Sequence, residues 1–197
     1  MTSNKSNHEL PEPIDALYRI KRGLSGYVSY LAACEMNKSF SEYILYEPIL
    51  RILTARGYSV ECELECPGVQ HKKKGDRKRL DFVATRNGRA FALEVKWAKQ
   101  RSIDIKHDEL KLLAYRTVSQ GARGFLCVFG RYSILKGLRL KAKEFAQQGQ
   151  LVTADLGKTK YSCRIYEQKS PISVQASQEV TDAANCRSRG ARARPPR

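Results

Sequence analysis

Apolar residues recur along this chain with two different periods. From Ile14 to Met36 they return every three or four residues (Leu17, Ile20, Leu24, Val28, Leu31), broken by Gly23 and Gly26, which predicts two short helices or one weakened helix. Ser39–Gly57 predicts a firmer helix, with Ser39 or Ser41 as N-cap, Gly57 as stop and Leu45, Ile49, Ile52 and Leu53 on the inner face. Pro48 implies a kink there or a start near Glu47. At Tyr58–Glu65 the pattern changes to the alternation of a strand. Arg79–Lys99 reads as two strands joined at Asn87-Gly88, a dipeptide suited to the positive φ angles of a type I′ turn. A helix capped by Ser102 or Asp104 is expected to run to about Ser119, with Leu110, Leu113, Ala114 and Val118 inside. Gly121–Phe129 holds a continuous apolar run between glycines, the pattern of a buried, parallel strand. A basic helix at about Leu135–Gln147 and an edge strand at Tyr161–Glu167 complete the expected elements.

The hairpin carries the candidate chemistry. Counting outward from its turn sets Val83 opposite Ala92, Asp81 opposite Glu94 and Arg79 opposite Lys96. Alternation then places Asp81, Glu94 and Lys96 on one face, with Phe82, Phe91, Leu93, Val95 and Trp97 turned into a core. Opposed residues on one face lie ~4.5–5.5 Å apart at Cβ, where like charges destabilise the pair unless a cation intervenes. Two hard oxygen donors suit magnesium, which keeps several waters, with manganese as substitute. The plain alternative is a surface charge cluster in which Lys96 pairs with Glu94. Upstream, a helical wheel puts Glu42 within the apolar face and Glu47 nearly opposite it, and the ambiguity at Pro48 keeps both in play.

A net charge of +16 on 197 residues changes the picture, because it implies an anionic partner, nucleic acid before a membrane surface. Pro67–Lys78 gathers His71, Lys72, Lys73, Lys74, Arg77 and Lys78 immediately before Asp81, a basic flap where a phosphate backbone would pass. The six cysteines are scattered, and Cys62, Cys66 and His71 lack the second ligand pair of a zinc site. No apolar run has the length of a membrane span and no signal-peptide core opens the chain, so an intracellular, cytoplasmic protein is expected. From Gln168 the composition turns to Ser, Gln, Ala and Thr and ends in RSRGARARPPR, expected to be a disordered basic tail.

Asp81 followed by Glu94-Val95-Lys96, on strands that follow a helix and precede another helix and strand, resembles the PD-(D/E)XK nuclease superfamily. The resemblance covers roughly Ser39 to Phe129, with Leu80 standing where the family name has proline. It implies an α/β fold with a restriction-endonuclease-like αβββαβ core: a mixed central sheet flanked by helices at 39–167, after an N-terminal arm and helical extension at 1–38 and before the tail at 168–197. It further implies magnesium-dependent hydrolysis of phosphodiesters, DNA favoured over RNA, in a protein of prokaryotic or phage origin. Asp81, Glu94 and the Val95 carbonyl would hold the metal, Lys96 would position or deprotonate water, and Glu42 or Glu47 would complete the set. A homodimer or a larger complex is compatible with that reading. So is a subunit that binds nucleic acid without cutting it.

Overall fold

The computed structural model describes residues 12–36, 40–67, 78–142 and 144–169. The N-terminal periodicity forms one helix, α1 (Ile14–Ala33). Its inner stripe, Leu17, Ile20, Leu24 and Val28, enters the same core as the central sheet, so the segment expected as an extension is part of the packed body. Gly23 does not break the helix. A Cβ there would lie 2.8 Å from Ile52 Cδ1, and the glycine lets the next helix approach closely. That next segment opens as a 3₁₀ turn (Glu42–Leu45) and continues as α2 (Tyr46–Ala55). Pro48 is third in α2, within the first turn, where backbone N–H groups have no helical partner in any case.

Three strands follow, β1 (Ser59–Glu65), β2 (Arg79–Arg86) and β3 (Arg89–Ala98), and Asn87 and Gly88 both take positive φ at the hairpin turn, 51° and 71°. After a short β4 (Ser102–Ile103), α3 (Lys106–Val118) leads to β5 (Arg123–Arg131), which lies parallel to β3 as expected. The six-stranded sheet is mixed, in the order β1-β2-β3-β5-β8-β7, with β8 (Tyr161–Gln168) and β7 (Phe145–Ala154) antiparallel additions. One face carries α1 and α2 over Phe82, Phe91, Leu93, Phe125 and Phe129; α3 lies over Ala92 and Val83 on the other.

Three expectations are corrected. The basic helix at Leu135–Gln147 does not form: a four-residue α4 (Tyr132–Leu135), β6 (Arg139–Leu140) paired with β4, and β7 occupy that region. Leu138, Ala142 and Phe145 would share one helical face, but tertiary packing overrides that pattern: Leu138, Leu140, Ala142 and Phe145 join the cluster of Ile103, Leu126 and Val128, with β6 paired to β4 and Phe145 opening β7. The strand beginning at Tyr161 is interior, and β7 is the edge. On α3 the buried face is Asp108, Leu112 and Tyr115, while Leu110, Leu113 and Val118 face outward. Two stripes competed there, and the one bearing charged residues won because they find partners on β3.

Among the described residues, no helix is long and apolar enough to cross a membrane. Lys72, Lys73, Lys74 and Arg77 of the basic loop, Ser39, and the tail from residue 170 lie outside the described residues. Gln168, where the tail was expected to start, closes β8.

Candidate active site

The site forms where β2 separates from β3. The ladder between them runs from Arg86–Arg89 to Phe82–Leu93 in the expected register and stops there. On the other side, β1 pairs Cys62 with Phe82 and Leu64 with Leu80, but Glu63 and Asp81 between them do not pair, and Glu63 has φ of 54°. A non-glycine residue at positive φ within a strand stores on the order of 1–3 kcal/mol of strain, a feature typical of functional sites. The irregularity releases Asp81 from simple opposition to Glu94. Its Oδ2 accepts a 2.7 Å hydrogen bond from the Val95 N–H, so a side chain replaces the missing backbone partner. The Tyr46 hydroxyl of α2 lies 2.8 Å from Asp81 Oδ1 and 2.7 Å from Glu63 Oε1 and has one proton for the two carboxylates. Burial raises the Asp81 pKa above the ordinary carboxylate range against the pull of these hydrogen bonds.

Glu94 is 1% exposed and points to α3. Its Oε2 is bound by the Lys111 ammonium, which also donates to the Arg79 carbonyl at 2.9 Å, whereas Oε1 is buried without a partner. Burial, then the nearby Asp81 charge, push the Glu94 carboxyl up to about 9, with Lys111 acting in the opposite sense. Lys96 extends from the same face to Asp108 Oδ2 at 3.0 Å, and Asp108 Oδ1 is 3.6 Å from Lys111. Burial disfavours the Lys96 ammonium, but the charge and hydrogen bond of Asp108, and then Glu42, outweigh it, and the pKa is raised overall. Lys96 is therefore held as an ammonium at neutral pH.

Of the two upstream glutamates, Glu42 reaches β3, accepting from the Trp97 N–H at 2.8 Å beside Lys96, while Glu47 pairs with Arg51 at the surface. Lys78 borders the site's end of the sheet, where its carbonyl accepts from Cys66 N at 2.8 Å. Cys62 and Cys66 are free thiols, the first exposed and the second buried.

Sequence reasoning missed Tyr46, Glu63, Asp108 and Lys111. For the last two a signal existed, since Asp108, Lys111, Leu112 and Tyr115 share a helix face, but an all-apolar stripe masked it. Glu63 carried no signal, because a strand irregularity has no marker in a sequence that lacks glycine there.

The donors can be tested against a hard cation. Among the described residues no three His, Cys, Asp or Glu side chains gather as a preformed metal cluster. Two carboxylates, one with a buried unpartnered oxygen and each within reach of the other's charge, do fit magnesium, which takes most of its ligands from water and substrate. Lys111 supplies the countercharge otherwise. Comparison of the chain with protein-family models, curated proteins and solved structures found no match to any of them.

Proposed function

We propose that the chain is a divalent-metal-dependent nuclease of the PD-(D/E)XK type. The order α2, β1, β2, β3, α3, β5 supports the αβββαβ core. The observation that carries the reading is electrostatic. Five carboxyl groups (Glu42, Glu63, Asp81, Glu94, Asp108) gather with only two ammonium groups (Lys96, Lys111) at one end of the sheet, so that acids outnumber bases there even with Glu94 protonated, on a molecule of net charge +16. A local acid excess inside a basic protein repels phosphate unless a cation joins it.

Magnesium held by Asp81 and Glu94 would neutralise charge on the scissile phosphate and acidify water. Lys96 donates a proton-bearing Nζ to a phosphate oxygen or to the attacking water, held in place by Asp108. Glu42 fixes the backbone at Trp97, and with it the direction of the Lys96 side chain. Asp81 anchors Val95 N–H and so ties the end of β3 to β2.

Labelled duplex, single-stranded and branched DNA and RNA, incubated with magnesium, manganese or EDTA, test the proposal. Cleavage is expected with metal only, and Asp81→Ala or Lys96→Ala should slow it by at least ~10²-fold, the size of effect a positioned proton donor supplies. Wild-type rates in Lys96→Ala would sink the assignment. A second reading, nucleic-acid binding without cleavage, is favoured by one observation: Lys111 already occupies Glu94 Oε2 without a metal. Binding in EDTA with no cleavage under any metal would select it.

A further inference from the structure

The face of the sheet that carries Glu94 and Lys96 continues past the site into a surface the catalytic reading does not use. Glu94 pairs in register with Leu126 and Lys96 with Val128, so all four point to one side. Leu126 and Val128 are covered by Ile103, Leu135 and Leu138, which belong to β4, α4 and the turn before β6. This small layer thus sits beside the site, on the same face and at the same end of β3. Around this end of the sheet stand Lys99, Arg101, Arg131, Lys136 and Arg139, and Lys158 joins from the β7–β8 loop, all exposed.

None of these six forms an ion pair with an acidic side chain among the described residues; Lys160, their neighbour, is bound to Asp155 at 2.5 Å. The layer is held by its backbone, with Arg139 N donating to Arg101 O at 2.9 Å and Tyr132 N to Lys160 O at 2.9 Å. Arg101 lies across Gly137, where a Cβ would come within 3.4 Å of its Cδ. A groove of about 340 Å³ between Tyr132, Ser133, Lys158 and Thr159 adds hydroxyl donors to the cations.

We infer that this rim is a second backbone-binding surface for nucleic acid, which extends the duplex or strand away from the scissile site over β4, α4 and β6. The inference rests on the proposed nucleic-acid substrate. Lys, Arg, Ser, Thr and Tyr are the side chains that contact phosphate and sugar, so the rim positions without reading sequence. From β3 across β5 and β8 to β7 is three strand spacings, about 14 Å, a length over which a duplex presents roughly eight charges.

The test compares binding of labelled duplex DNA and duplex RNA, in EDTA, across a salt series. One triple variant removes rim charges (Arg101→Ala, Lys136→Ala, Arg139→Ala); a control triple removes equal charge elsewhere (Arg22→Ala, Arg51→Ala, Arg89→Ala). The rim variant should flatten the slope of log affinity against log salt by about two to three, at roughly 0.9 per lost phosphate contact, and the control should leave it unchanged. A rim variant keeping charge (R101K, K136R, R139K) should retain the wild-type slope, and equal melting temperatures show that all remain folded. Equal flattening in both alanine triples, or none in the rim triple, overturns the inference while leaving the nuclease proposal standing. A wild-type chain that binds neither nucleic acid overturns both. Rim-dependent binding to vesicles of anionic phospholipid, in place of nucleic acid, overturns the inference in favour of a membrane surface.

Discussion

Lys111 occupies the place beside Glu94 that a cation would otherwise fill. Its ammonium is favoured above the ordinary lysine value: burial opposes the charge, but the Glu94 charge and hydrogen bond prevail, aided by Asp81 and Asp108. A metal held by Glu94 would therefore compete with Lys111 for one carboxylate. Lys111→Ala leaves the buried, protonated Glu94 without its hydrogen-bond partner, which should cost the metal-free protein about 1–3 kcal/mol. Magnesium or manganese should then raise the melting temperature of Lys111→Ala more than that of wild type, measured by calorimetry; equal shifts would show that lysine and metal do not share the site. Asp81, Glu94, Lys96 and Glu42 were legible in the sequence because the hairpin register and a helical wheel are short-range geometry. Asp108 and Lys111 were not, because they reach the site from a helix whose docking face depends on the sheet it meets.

Between elements, the fold is fixed by a few close approaches. α1 covers the edge strand β7: Lys21 Nζ donates to the Gln148 and Gln150 carbonyls at 3.2 and 2.7 Å, and Ser25 and Ser29 donate to the Val152 and Ala154 carbonyls at 3.0 and 3.2 Å. Such cover protects an edge that would otherwise pair with another chain. Lys21 and Arg22 are thus divided, with Lys21 buried and Arg22 exposed. β3 and β5 meet closely at the end next to the site, where a Cβ on Gly130 would lie 2.7 Å from the Ala98 carbonyl oxygen. Gly130→Ala should cost about 1–3 kcal/mol and slow cleavage by displacing the strand that carries Lys96. Urea melts together with turnover measurements check this, and a variant as stable as wild type would contradict the packing account. β1, β2, β3, β5 and β8 were readable from alternation and turn residues, and the helical character of α1 from its periodicity, though not that it is one unbroken helix. β7 was not, because its Gln and Gly residues, with a register shift between Gln148 and Val152, obscure alternation.

At the scale of the whole molecule, a chain of net charge +16 holds a cluster of acidic side chains whose most buried member, Glu94, responds to pH. The folded Glu94 carboxyl titrates at about 9, while an unfolded glutamate titrates near ~4.3. Between these values the folded chain keeps a proton that the unfolded chain has released. The raised pKa thus contributes stability that is fully present below the unfolded value and is lost as pH rises through about 9. Denaturant titrations of metal-free wild type and Glu94→Gln should show the wild type losing stability relative to the variant as pH rises through that window. A constant difference would contradict the buried-carboxyl account. Metal binding requires the deprotonated carboxylate, so affinity should rise over the same range.

Manganese binding to the metal-free protein, followed by calorimetry and electron paramagnetic resonance, bears most directly on the claim that Asp81 and Glu94 share a divalent cation. One ion per chain is expected, lost in both Asp81→Asn and Glu94→Gln and kept in Lys96→Ala. Binding of equal strength in wild type and both carboxylate variants, or no binding at all, would contradict it.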